Sequence, residues 1–548
     1  MTKKMDLAIL IEDEEILLWQ CRVLENIISS DIADIKFYIL DGVGVSEENF
    51  DKLSLIYKIH DKTDRYIFRN SIDFDKKVNI IQRFKTIPVV RLTYMKSGKG
   101  TLQTDDQNTL DNKPDLLLNF GISITNSAIL KEFKAGILTY HISSQMTKTS
   151  APTCYWEVIK RKPEVEASIH LTLPDLQDEI EIFRTGILPY PNSINLNRNN
   201  LYELASILIP RTIGRISVYG NDFTEIMKRK SATNYIVPQE PEFFQPSSLH
   251  ALSNLILLQV NFLVKKIKYH KIGRWFLMFK LHEQEHSFPN DLESFTLLKA
   301  PKNKFWADPF VISKDNYHYI FIEEYLFRPD KGHISVLKLD EKGKTVCIEP
   351  IIEKPYHMSY PFIFKHEEFY YMVPETGSNK TIELYRCTDF PAKWEFVKNI
   401  MENITAKDTT LFFHKNKWWL FTSVIVMNNA TVSYNELFLF YSDDLFSSNW
   451  QSHPMNPIVN DHKLSRPAGR IFIRDNKIFR PSQDCSGIYG RALNLNCITK
   501  LSETDYEEVS ISKIEPIWSK NIKGIHTHNS SNKISVIDAF SFRNRFTN

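Results

Sequence analysis

The sequence predicts an α/β domain with an open, mostly parallel sheet, followed by an all-β domain built as a five-bladed β-propeller. Three observations predict it. In roughly the first 190 residues, short apolar strands alternate with helix-patterned stretches, the order that gives a parallel sheet with helices on both faces. From about residue 296 the texture changes to alternating, aromatic-rich strands separated by turn residues. Within that second region a single pattern recurs: ADPFVI (307–312), SYPFIF (359–364), KDTTLFF (407–413), SRPAGRIFI (465–473) and GIHTHN (524–529), at intervals of roughly 50 to 60 residues. Self-similarity at that period, with about four strands per unit, is the signature of a propeller, and five repeats imply five blades. The expected domains are 1–227, the α/β unit; 228–295, a linker with an inter-domain helix; and 296–548, the propeller.

Composition narrows the function classes. A chain of 548 residues is too long for one ordinary core. Hydrophobic residues make up 43% and aromatics 12%, which indicates a folded protein. The 68 basic and 66 acidic residues leave a formal charge of +2, so no global field favours nucleic acid. The six cysteines form no CxxC and are too sparse for a disulfide scaffold or a zinc site, and no metal is expected. The opening MTKKMDLAILIEDEE reads as a first strand, not a signal peptide. No stretch approaches about 18 uninterrupted apolar residues, so no membrane span is expected. Together these predict a cytoplasmic protein.

The α/β unit reads in order as follows. DLAILI (6–11) is a strand, and 13–30 a helix with Ile16, Leu17, Trp19, Leu24 and Ile27 on one side. IKFYIL (35–40) is a second strand before the turn Asp41-Gly42, and TIPVVRL (86–92) a further apolar strand. No GxGxxG follows the first strand, so a dinucleotide site has no support. The stretch 115–186 carries the chemistry: a buried strand from Asp115, a strand ending at His141, a helix around Trp156, a strand ending near His170, and then Asp178. His141 and Asp178 each follow an apolar run, at the strand ends where an α/β sheet usually holds its ligand. The run 199–209 reads as a helix stopped by Pro210.

These pieces resemble the catalytic domain of the N10-formyltetrahydrofolate-dependent formyltransferases: Asp115–Gly121, Gly136–His141, Trp156, Ser168–His170 and Asp178–Ile182 match its motifs. The resemblance implies His141 as base or oxyanion donor, Asp178 as its orienting partner, Phe120 and Gly121 at the cofactor, and N10-formyltetrahydrofolate as the one-carbon donor. Thr139 stands where the family has Asn, and Ile180 where it has Gly. The first departure bears on chemistry, because a donor aimed at the tetrahedral oxyanion is often worth about 2.7–4 kcal/mol. Thr139 offers a single, shorter hydroxyl. The plainer reading of His141 and Asp178 is a satisfied histidine beside a loop carboxylate.

Residues 250–281 combine apolar positions with Lys265, Lys266, Lys268, Lys271 and Arg274. They suit either an interfacial helix or a helix plus edge strand packed between domains. In the propeller, the inner strand of each blade starts at the axis. That predicts a ring of Asp308, Tyr360, Asp408, Arg466 and His526, and a second ring drawn from Glu324, Glu375, Arg480, Gln483, Asp484 and His528. Arginines and histidines beside carboxylates suit a sugar phosphate or acidic glycan. WADPF, MSYPFIF, MVPETG, RPAGR, RPSQDCSGIYG and GIHTHN, over 300–535, resemble the N-terminal propeller of plant glucosamine inositolphosphorylceramide transferases. ADPF alone is also similar to the first blade of five-bladed furanosidases, which implies Asp308 as a general base.

The resulting expectation is formyl transfer to an amino group of a sugar, sugar nucleotide or glycan, with the propeller recognising the glycan. Two alternatives stand beside it: a glycan- or sugar-phosphate-binding protein whose first domain has lost its chemistry, and a glycosidase or glycosyltransferase centred on the propeller.

Overall fold

The computed structural model describes residues 4–544 except 42–54, 69–71, 95–99, 104–112, 121–132, 143–152, 175–178, 235–251, 254–255, 259, 261–270, 283–287, 289–291, 429–432, 518 and 520. The chain divides into two compact units, Met1–Val264 and Lys265–Asn548. Gly121 and Asp178, and Lys265, Lys266 and Lys268 of the basic stretch, lie outside the described residues.

The first unit is built on an eight-stranded mixed sheet. Five parallel strands form its middle, in the order Gly136–Ile142, Leu116–Asn119, Met5–Ile11, Ala33–Asp41, Val89–Tyr94. Leu7, Ala8, Ile9, Leu116, Leu117 and Leu118 are fully buried, because strands covered on both faces read as continuous apolar runs. Both edges turn antiparallel: Gly100–Gln103 on one side, and Val165–Thr172 then Glu179–Ile187 on the other. The helix expected to stop at Pro210 runs Ile194–Asn234, and its backbone leaves helical geometry only at Gly220. Its first turn is capped from a distance. Asp64 accepts the Ile194 and Asn195 N–H groups at 2.9 Å and the Ser193 hydroxyl at 2.6 Å, satisfying donors that every helix start leaves open. Trp19, on the helix Leu18–Ser29, stacks on Tyr202 of this helix at 5.1 Å.

The second unit is a five-bladed propeller. Four blades are antiparallel meanders from consecutive chain: Lys304–Ile352, Ser359–Glu402 and Ala406–Ser452, each of four strands, and Arg466–Ile514, whose inner position is split into Arg466–Pro467 and Phe472–Arg474. The turns between first and second strands of blades one, three and four are Asp315-Asn316, Lys415-Asn416 and Asp475-Asn476. Both residues of each pair have positive φ, the two-residue hairpin conformation that Asn tolerates best. The outermost strands, such as Thr345–Ile352, are largely exposed. The faces between blades are packed by Phe310, Tyr360, Phe362 and Leu411 on one side of the ring, and by Phe412, Phe421, Leu439 and Ile471 further round.

The fifth blade joins the two ends of the unit. Lys271–Leu281 pairs antiparallel with Ile534–Asn544 along its whole length, from Lys271↔Asn544 to Leu281↔Ile534. Ile522–Gly524 and His528–Ser531 lie inside this pair and Thr296–Leu298 outside it. Lys271 and Arg274 are thus on a blade strand rather than on an interfacial helix. Closing a ring in this way leaves each blade only short edges to protect.

Candidate functional site

The axial cluster arises from one repeated backbone device. In blades one, two and three the inner strand slips register, between Ala307 and Phe310, Ser359 and Phe362, and Lys407 and Thr410. Each slip holds a residue in the left-handed region: Asp308 at φ 51°, Tyr360 at 44° and Asp408 at 52°. A bulge re-aims a side chain that the pleat would otherwise send into the blade. Opposite the residue before each bulge stand Glu323, Glu375 and Ser423, and in the fourth blade Gln483 faces Arg466. By this register Arg466 corresponds to Lys407, one position before Asp408, rather than to Asp408 itself.

Two connected networks result. In the first, Asp538 accepts the Asp308, His526 and Thr527 N–H groups at 2.9–3.0 Å, and its Oδ2 lies 2.5 Å from His526 Nδ1. Asp308 accepts the Thr527 hydroxyl at 2.9 Å and the Tyr360 N–H at 3.2 Å, with His526 Nε2 at 3.6 Å. The Trp275 ring lies flat on His526 at 3.8 Å. In the second, Asp408 Oδ2 accepts Arg466 Nε at 2.8 Å and Gln483 Nε2 at 3.1 Å, while Glu375 pairs with Lys407 and accepts the Asp408 N–H at 3.3 Å. Tyr489, 43% exposed, faces the Arg466 guanidinium at 5.0 Å.

Burial sets the protonation of these groups and charge corrects it. Asp408 is pushed up to about 7 by burial and the Glu375 and Asp308 charges, against the pull of Arg466. Burial also raises Asp308, and it raises Glu323 well above the usual range with the help of neighbouring carboxylates. Glu375 is equally buried, yet Lys407 and Arg466 overcome burial and hold it below its ordinary value. His526 is raised despite burial, because Asp538 and Asp308 flank it. Environments that push carboxyls in opposite directions separate a proton donor from a proton acceptor.

Several residues expected in the rings sit elsewhere. Tyr360 is fully buried and acts as a clamp: its hydroxyl meets Thr410 Oγ1 at 2.9 Å and accepts the Gly469 N–H at 2.8 Å. Arg480 turns away from the axis to Glu508, with contacts of 2.6 and 2.8 Å. Asp484 binds Lys513 at 2.5 Å, and Glu324 binds Lys304, Trp306 and His333. The pleat explains all three, since they lie an odd number of positions from Gln483 or Glu323 and so project from the opposite face. His528 is buried with its ring 5.4 Å from Phe288. Glu323, Lys407, Asp538, Trp275 and Tyr489 belong to the axis and were not anticipated. Counting register from Glu375 back to the first blade finds Glu323 rather than Glu324.

In the first unit, Thr139 and His141 share one sheet face near the end of Gly136–Ile142, with Thr139 opposite His170 and His141 opposite Ser168. The carboxylate beside His141 is Glu179, at 3.3 Å. The proposed partner Asp178 and the cofactor residue Gly121 lie outside the described residues, and Phe120 is buried edge-on to Trp19 at 5.2 Å.

Residues 294–539 match the family model described as glucosamine inositolphosphorylceramide transferase 1, N-terminal. The chain is 35% identical over 215 residues to glucosamine inositolphosphorylceramide transferase 1 of Oryza sativa subsp. japonica, covering 39% of this chain and 28% of that protein. It is 32% identical over 223 residues to the Arabidopsis thaliana protein of the same name, covering 40% and 28%. The matched region thus spans little more than a quarter of these relatives. Among solved structures, an α-L-arabinofuranosidase from Podospora anserina aligns with a TM-score of 0.34 at 10% identity, over 48% of this chain and 97% of that one. A β-1,2-mannobiose phosphorylase from Listeria innocua aligns with a TM-score of 0.31 at 8% identity, over 44% and 91%. The family model leaves the α/β unit unmatched, so formyl transfer gains no support from these relatives.

Proposed function

We propose that the propeller binds an amino sugar of a glycan at its axial mouth and serves glycosyl transfer there. The observation that carries this is the carboxyl-rich axis. Five carboxyls (Asp308, Glu323, Glu375, Asp408, Asp538) stand beside Lys407, Arg466 and His526; Glu375 is held ionised by its two cations, Glu323 and Asp408 hold their protons more tightly, and Arg480 is turned away. Such a site favours an ammonium-bearing sugar over the phosphate or acidic glycan first expected. A charged hydrogen bond to the amine contributes about 1.5–3 kcal/mol. The name shared by the matched relatives contains glucosamine, and this supports the reading. Glu375, held ionised by Lys407 and Arg466, is suited to accept a proton, and Asp408, protonated up to about pH 7, to donate one. Tyr489 offers an exposed ring for a sugar face.

The test is calorimetric titration of glucosamine, N-acetylglucosamine and glucose into the full chain and into Glu375→Gln. Glucosamine is expected to bind at least ~10-fold tighter than the other two, an advantage that one charged hydrogen bond accounts for, and Glu375→Gln to remove it. Equal affinity for the three sugars, or a preference that survives the substitution, refutes the reading. For the first unit, the use of N10-formyltetrahydrofolate rests on its motifs alone. Titrating a stable analogue of that donor into the wild type and His141→Ala decides it, and absence of binding to both discards it.

A further inference from the structure

The polar face at the antiparallel edge of the first unit sets His141, the residue expected to serve formyl transfer, in an arrangement that neither this reaction nor sugar binding accounts for. His141 Nε2 lies 3.3 Å from Glu179 Oε2, and His170 Nδ1 lies 3.5 Å from the same oxygen. All three donor atoms lie within 4.8 Å of one another. The histidine rings are 4.6 Å apart and inclined at 75°, so the two nitrogens converge on the carboxylate from different directions. An ion with bonds of about 2.0–2.2 Å to nitrogen and oxygen in a tetrahedral site spaces its ligand atoms about 3.4 Å apart. The two observed separations bracket that value.

The surroundings are ordered as an outer shell would be. With Nδ1 turned to Glu179, the other nitrogen of His170 lies 2.7 Å from the Ser168 hydroxyl and 3.7 Å from Glu181 Oε2. Glu181 is in turn gripped by Arg184, with contacts of 2.5–3.1 Å. Hydrogen bonds of this kind at the far ring nitrogen fix the tautomer and orientation of a metal-ligating histidine. Glu179 keeps 45% of its side-chain surface, leaving a side open for an ion to enter and for a water ligand.

The geometry points to a divalent metal site formed by His141 Nε2, His170 Nδ1 and Glu179 Oε2, of the class that takes Zn²⁺, with a fourth position left to solvent or substrate. Three protein ligands of two imidazoles and one carboxylate suit borderline ions rather than Mg²⁺ or Ca²⁺, which prefer all-oxygen shells. The register explains why these residues meet. His141 lies opposite Ser168 on the neighbouring strand, His170 lies two residues further along that strand, and Glu179 begins the edge strand. Paired strands bring these neighbours within reach on one face.

The test uses the full chain, dialysed against a chelator and titrated with Zn²⁺ by calorimetry. A matched titration with Co²⁺ reads the visible absorption of a four-coordinate ion. The expected result is one site per chain of micromolar or tighter affinity. His141→Ala and Glu179→Gln are expected to weaken it at least ~100-fold and to abolish the Co²⁺ band, and Ser168→Ala to weaken it about 10–100-fold. Glu179→Gln preserves shape at a half-exposed position and keeps the test interpretable if a histidine variant folds poorly. No saturable binding by the wild type, or binding and a Co²⁺ band unchanged in both His141→Ala and Glu179→Gln, overturns the proposal. Every variant lies in the first unit and the readout is metal, so this outcome is independent of sugar binding by the propeller.

Discussion

Replacing Asp408 by Asn should change how the propeller's stability depends on pH, in a direction and by an amount that the axis dictates. Asp408 is 2% exposed and its carboxyl is pushed up to about 7, whereas in the unfolded chain it returns to the ordinary value of about 3.9. Between those limits the folded chain keeps a proton that the unfolded chain has released. Stability therefore falls as pH rises through this window. The interval is about three pH units, and at about 1.4 kcal/mol per unit it amounts to about 4 kcal/mol. Asn keeps an oxygen for Arg466 and cannot ionise, so Asp408→Asn lacks this loss. The assay is urea unfolding of both proteins at steps from pH 4 to 7.5, followed by tryptophan fluorescence. Seven of the nine tryptophans lie at position 275 or later, so the signal reports mainly on the propeller. The variant should gain about 4 kcal/mol on the wild type between the two ends of the series. Stability differences that stay constant across the series would mean that Arg466 outweighs burial and that Asp408 is ionised throughout.

Other substitutions separate axis from scaffold. Arg480→Met leaves Glu508 buried without its cation and should cost about 3–5 kcal/mol in urea unfolding, with sugar affinity unchanged. Gly490→Ala places a methyl 2.7 Å from the Trp275 ring and 3.0 Å from His526 Cβ at a φ of +64°. It should cost about 1–3 kcal/mol and shift the His526 ring signals in nuclear magnetic resonance spectra, because Trp275 can no longer lie flat on the imidazole. Gly273→Val drives a side chain into Phe540, whose ring atoms would lie 2.5 Å from the new Cβ. It should lower the melting temperature of the propeller without affecting the first unit.

The blades were legible because each must bury the same two faces, and so repeats the same aromatic inner strand. The count of five followed from spacing alone. The membership of the axis was less legible. Side-chain direction alternates every residue, and each register slip shifts the count by one, so Glu323 was passed over for Glu324, and Arg480 and Asp484 were placed on the wrong face. Lys271–Leu281 could not be recognised as a blade strand, because its apolar run fits more than one period and its partner lies at the far end of the chain. In the first unit, Pro210 failed to stop its helix because packing of the buried Leu208, Ile209 and Ile213 outweighs one lost backbone hydrogen bond. His170 and Glu179 fall within the motifs that resemble the formyltransferases, but only the antiparallel pairing of their strands brings them to His141.

The strand pair Lys271–Leu281 with Ile534–Asn544 imposes an order on synthesis. Lys271 and Asn544 are 273 positions apart, so the ring cannot close until residue 544 has left the ribosome. Until then four blades wait with one flank uncovered, a state in which unpaired strand edges invite aggregation. A recombinant fragment begun at residue 294, where the family match starts, would remove the closing strand altogether. A fragment begun a few residues before Lys271 would retain it.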